Sequence, residues 1–198
     1  MPIISQRLGK TEDAALKAAA FWRRLDTSGS DAAHLYQTRT GWRLAGTAVF
    51  LQDKEPARLD YTLELRANWT TKRGVISGFV GGTMIDLTMV RDAAGWSING
   101  TKKASLDHLQ DLDLGFTPAT NLPQLHRANL RIGEAADFAV AWWEPGASEL
   151  VELPQHYHRR SERIYWYESP SVPYSAELEA APNGFIRSYP GLWVLESE

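Results

Sequence analysis

The chain has 198 residues, a formal charge of −3, 43% hydrophobic and 23% charged residues, and no cysteine. That length suits one domain whose core needs no covalent or metal staple, and the lack of cysteine excludes disulfides, thiol catalysis and thiolate metal sites. Nucleic acid is not the expected partner, because Arg23-Arg24, Lys102-Lys103 and Arg159-Arg160 are scattered and form no phosphate-binding stripe.

Residues 1–10 show no basic start followed by an apolar run, so no secretory signal is expected. No apolar run approaches the ~20 residues that span a bilayer, and a cytoplasmic location is expected. Residues 11–24 read as a helix, with Thr11 as N-cap, Glu12 and Asp13 in the first turn, and an Ala-rich stripe ending at Trp22. The polar segment Asp26–Asp31 would end it. Residues 1–20 are then a helical extension, and 21–198 a single β domain.

Beyond that segment the period becomes two. Trp42, Leu44, Gly46, Ala48 and Phe50 alternate with Arg43, Ala45, Thr47 and Val49; Leu59, Tyr61, Leu63 and Leu65 alternate with Asp60, Thr62 and Glu64. Each is a strand with one dry and one wet face. Further strands are predicted at 74–80, 84–91, 96–99, 126–132 and 137–143, then near 155–159, 163–168, 174–180 and 185–189. Asn99-Gly100 and Asn183-Gly184 are hairpin dipeptides. The glycine-rich run Gly78–Gly82 leads into a strand rather than a helix, so it reads as a turn or kink, not a phosphate cradle. Many short strands with tight turns define an all-β, mainly antiparallel class, curled into a barrel or half-barrel that limits exposed edges. Tyr61-Thr62-Leu63-Glu64-Leu65 echoes Tyr174-Ser175-Ala176-Glu177-Leu178, as a duplicated half would.

The most distinctive stretch runs from Asp107 to Arg127. Asp111 and Asp113 alternate with Leu112 and Leu114 and so share a strand face. Two such carboxylates can serve as acid and base or meet a ligand, and they can equally be a solvated face. Pro118 and Pro123 take the chain out of the sheet, into a loop whose Thr117, Thr120 and Asn121 suit binding or local backbone bonding. His156 and His158 point to one face, but no third ligand has a convincing spacing, so no metal site is assigned. Gln155, Tyr157 and Arg159 share the other face, a set fit for hydroxyls or an anion, or for a polar cap on a barrel interior. Ser77 is not in a nucleophile elbow. No catalytic residue and no cofactor is assigned. The chain has eight tryptophans, more than a core of this size needs, and of the adjacent Trp142 and Trp143 at least one should leave the core of a one-sided sheet.

The order of motifs resembles the putative glycolipid-binding protein family, a bacterial family with a domain formerly of unknown function. The matching pieces are Phe21–Leu25, Gly41–Gly46, Leu59-Asp60-Tyr61 with Trp69, and Gly95-Trp96 with Asn99-Gly100. Asp111–Pro123 with Arg127, Gln155-x-Tyr157-x-Arg159 and Tyr189–Trp193 complete the set, which spans residues 21 to 193. The resemblance implies a curved, spear-like β fold, similar in part to bacterial lipoprotein carriers that shield acyl chains, and it implies a glycolipid as ligand.

On this reading the protein is a non-catalytic binder of a lipid-like or sugar-bearing ligand in an aromatic-lined groove. Arg127 and Arg159 would meet an anionic or hydroxyl-rich head, with Asp113, Thr117, Asn121, Gln155 and Tyr157 completing the polar end. Trp69 and Trp142 would supply apolar walls, and replacing both arginines by Met would abolish binding without unfolding. The alternatives are an enzyme on a small carbohydrate or ester with Asp111 or Asp113 as base, and a scaffold whose exposed tryptophans meet a protein.

Overall fold

The computed structural model describes residues 14–198. The first half is a meander of β1 (Ala15–Arg24), β2 (Gly29–Gln37), β3 (Gly41–Gln52), β4 (Glu55–Arg66), β5 (Thr71–Val80), β6 (Thr83–Asp92), β7 (Gly95–Ile98) and β8 (Thr101–Lys102). A connection follows, holding 3-10 turns at Ala104–Leu106 and Pro118–Thr120, the short strand β9 (Leu112–Leu114) and helix α1 (Asn121–Ala128). The second half is a meander of β10 (Ala135–Trp143), β11 (Val151–Arg159), β12 (Ile164–Ser169), β13 (Tyr174–Ala180), β14 (Ile186–Tyr189) and β15 (Trp193–Ser197).

All the strands form one curved sheet. Its spatial order runs from β8 back to β1, across to β15, and back again to β10 and β9, so the two halves are joined by the β1–β15 pair. Neighbours are antiparallel except β9 and β10, which run parallel. The sheet stays open, an all-β half-barrel as the alternating pattern predicts. No helix among the described residues is long and apolar enough to cross a membrane.

The N-terminal helix is corrected. From Ala15 to Arg24 the chain is β1, bonded to β2 on one side and β15 on the other, while Thr11 lies outside the described residues. Alanine has the strongest helix propensity, but pairing on both edges outweighs that weak prior. Ala18, Ala20 and Trp22 point inward and are buried, with Lys17 and Phe21 outward. Trp22 donates its indole N–H to the Ile186 carbonyl at 2.7 Å, tying the halves together. The strand expected at 126–132 is also corrected: α1 runs to Ala128 and stops at Asn129, which adopts a left-handed φ of 45°. Pro123 sits in its first turn, where a missing N–H costs nothing, and Leu122 and Leu125 are buried on one face.

The connection fills the open side of the curve. Thr71 donates its backbone N–H to Gln110 at 3.0 Å, and Ala141 does the same to Asp111 at 2.9 Å, so residues 110–111 bridge β5 and β10. Alternation along β9 then divides the interior. Leu112 and Leu114, with Phe116 beyond, enter an apolar core with Leu44, Leu59, Leu63, Ile76 and Trp96 of the first half. Asp113 faces the second half, whose inner surface carries Tyr157, Tyr167 and Leu178. The Gly78–Gly82 run is a kink and turn, with positive φ at Gly78 inside β5 and at Gly81 between β5 and β6.

One close approach sets a sharp test. A methyl group added at Gly46 would overlap the Tyr61 hydroxyl and lie 2.6 Å from the Ala32 carbonyl oxygen. Gly46→Ala is therefore expected to cost about 1–3 kcal/mol, read from its urea midpoint, through strain and displacement of Tyr61.

Candidate ligand cleft

The connection and the second half do not close completely on one another. Between them lies a cleft of about 270 Å³. Asp113, Thr117 and Asn121 line it from the connection, while Trp142, Tyr167, Ser169, Tyr174, Tyr189 and Trp193 line it from the sheet. Leu192 and Val172 also line it, the latter 39% exposed. The tyrosines form a contiguous set: the rings of Tyr174 and Tyr189 are 5.3 Å apart at 61°, and that of Tyr167 is 5.8 Å from Tyr189. These are the tilted geometries that aromatic quadrupoles favour. Burial holds all three hydroxyls neutral; that of Tyr174 is pushed up to about 12.

The polar floor is held by two hydrogen-bond networks. In the first, Thr120 Oγ1 donates to Asp113 Oδ1 at 2.5 Å and Gln155 Nε2 donates to Oδ2 at 2.8 Å. Asn121 Nδ2 donates to the Tyr157 hydroxyl at 2.7 Å, and that hydroxyl donates to Gln124 Oε1 at 3.3 Å. Asp113 is 7% exposed, and burial pushes its carboxyl up against the opposing effect of these donors. In the second, the hydroxyls of Tyr61 and Thr117 both donate to Asp31 Oδ2. Asp31 is fully buried and its carboxyl is pushed up to about 7. Thr117 thus joins a wall of the cleft to a carboxylate on β2.

The sequence-derived residues divide. Asp113, Thr117, Asn121 and Trp142 line the cleft. Gln155 and Tyr157 stand directly behind it and hold Asp113 and Asn121 in place. Trp142 and Trp143 separate as alternation demands: Trp143 is buried with Phe116, rings 5.9 Å apart, while Trp142 faces the cleft.

The other three lie elsewhere. Trp69 is stacked between Trp42, at 4.3 Å, and His126, at 4.2 Å, a sandwich that clamps α1 to the first half. Arg127 places Nε and Nη2 on the Asp111 carboxylate. Arg159 donates from Nη1 to the Leu130 carbonyl and from Nη2 to that of Glu162, each at 2.7 Å. It borders a separate cavity of about 420 Å³ near His126 and Arg163. Sequence reasoning did not single out Tyr167, Ser169, Tyr174, Glu144 or the Asp31–Tyr61 pair. The i, i+2 spacing of Tyr165 and Tyr167 on a strand was the available signal.

An open, curved β wrap, stopped by its own central connection and carrying an aromatic cleft beside it, defines an all-β half-barrel. Residues 19–194 match the family described as "Putative glycolipid-binding", and the chain belongs to that family. A DUF1089 family protein from Pseudomonas aeruginosa, known from a crystal structure, is similar in fold with a TM-score of 0.74. It is 24% identical over 85% of this chain and 92% of that one. No curated protein matches the sequence.

Proposed function

We propose that the protein binds the sugar-bearing head of a glycolipid-like ligand in the cleft between the connection and the second half of the sheet. The observation that carries this reading is the meeting of aromatic walls and a hydrogen-bonding floor in one concavity, the combination amphipathic ligands need. At about 270 Å³ the cleft lies just below the roughly 300–1,000 Å³ of drug-sized sites, which suits a ring and its substituents rather than acyl chains. Apolar tails would leave past Leu192 and Val172. The family description supports the same reading.

Native mass spectrometry of protein freshly purified from its own source, with solvent extraction of bound material, tests it. A discrete extra mass that extracts as a glycolipid is expected; a clean apo mass at saturating lipid extract would sink the proposal. Trp142→Ala should weaken binding of the extracted ligand by about tenfold to a hundredfold, the loss typical of an aromatic anchor. Trp142 is only partly buried, so the fold should survive. A second reading rests on Asp113, a carboxyl raised by burial at a cleft wall, the placement expected of a general acid or base on a small carbohydrate or ester. It predicts release of sugar or acid from model glycosides or esters, lost in Asp113→Asn.

A further inference from the structure

The charge pattern of the cleft narrows the chemistry of the head. Two carboxylates line it, Asp113 from β9 and Glu144 just past β10, and none of the described residues lining it is Lys, Arg or His. The two arginines nearest in sequence to the floor are already engaged, Arg127 by Asp111 and Arg159 by backbone carbonyls. Arg24 lies 5.4 Å from the Trp193 ring, and its charge is met by a bidentate contact with Asp26. An anionic head would enter a site with two acids and no cation. The opposite charge would find a set of aromatic side chains and two carboxylates, the combination by which proteins recognise ammonium groups.

We propose that the cleft selects a head carrying a positively charged nitrogen, such as an amino-substituted sugar, over phosphate, sulfate or carboxylate heads. This rests on the reading of the cleft as the ligand site. The ammonium would sit against Tyr167, Tyr174 and Tyr189 with Asp113 and Glu144 as counter-charges. Asp113 is met by the neutral donors Thr120, Gln155 and Gln124 and by the Leu114 backbone, so a ligand cation is the countercharge its burial lacks. The other groups around it are Tyr157 on β11, which Asp111 also faces, Tyr167 on β12 and Tyr189 on β14. None of these is positively charged.

The test is calorimetric titration of the whole protein with octyl β-glucoside and with its 2-amino-2-deoxy analogue, each below its micellar concentration. The amine should bind at least about tenfold more tightly at pH 7, where it is largely protonated. That preference should shrink in Glu144→Gln, whose exposed rim position leaves folding untouched, and shrink further in Asp113→Asn. It should also fall as acid protonates Asp113, because proton and ammonium compete for one carboxylate. Equal affinity for the two glycosides, or a preference that survives both substitutions, overturns the charge inference while leaving the cleft as the sugar site. Failure of both glycosides to bind overturns the site itself.

Discussion

Asp31→Asn is expected to make the protein more stable above pH 7, by up to roughly 4 kcal/mol, and to leave it nearly unchanged near pH 4. Asp31 is fully buried on β2; Tyr61 and Thr117 donate to its Oδ2, and its Oδ1 has no partner. Burial therefore outweighs the hydrogen bonds from Thr117, Tyr61 and the Ala32 backbone and raises the carboxyl from 3.8 to about 7. The sign follows from proton counting. Between these two values the folded chain holds a proton that the unfolded chain has released, so stability falls as pH rises through that window. Below 3.8 the contribution is fully present, and above about 7 it is lost.

Asparagine is nearly isosteric and still offers one oxygen to both hydroxyls, while its amide takes the position of the protonated oxygen. The two proteins should thus match in acid and diverge as pH rises. Asp111 and Asp113 are also raised by burial and will tilt both curves alike, so the quantity to read is the difference between urea midpoints from pH 4 to 8. Parallel curves would show that Asp31 ionises in the folded state as easily as in the unfolded one.

What could be read beforehand follows the range of the interactions. The alternation Leu59, Tyr61, Leu63, Leu65 is local, and β4 buries those four side chains in that order. Asn99-Gly100 turns between β7 and β8 with both residues at positive φ, as a two-residue hairpin requires. β1 was hidden because Ala18 and Ala20 are buried as small fillers, and their type signals helix unless the partners β2 and β15 are known. β2 was hidden because its inward face begins with Asp31, a residue that reads as loop. Within the cleft, Asp113, Thr117 and Asn121 belong to one continuous motif and could be grouped. Tyr174 and Tyr189 could not, since what brings them over that motif is the pairing of the second meander back onto β1. A guanidinium looks the same in sequence whether its partner is a ligand or its own chain; in the fold Arg127 is bonded to Asp111, and Arg159 to the carbonyls of Leu130 and Glu162.

Arg127→Met is accordingly expected to cost about 3–5 kcal/mol of stability, the usual consequence of leaving a buried charge without its partner. Asp111 is 1% exposed and receives Nε and Nη2 of Arg127, while its backbone oxygen accepts from Ala141 on β10. Burial raises its carboxyl and the guanidinium pulls it back down, so without Arg127 it would rise further. The damage should therefore be smaller at pH 5 than at pH 8, where the stranded group cannot take a proton. Asp111→Leu combined with Arg127→Met should recover most of the loss, because an apolar pair replaces an ion pair at little net cost. The pair also spans the loop that presents Asp113 and Asn121, one end on the segment entering β9 and the other near the end of α1. Weaker ligand binding in the single variant is thus expected to accompany the loss of stability and to return in the double variant. A single variant that keeps its urea midpoint yet loses the ligand would reverse the assignment, making the guanidinium part of the binding surface rather than the staple that shapes it.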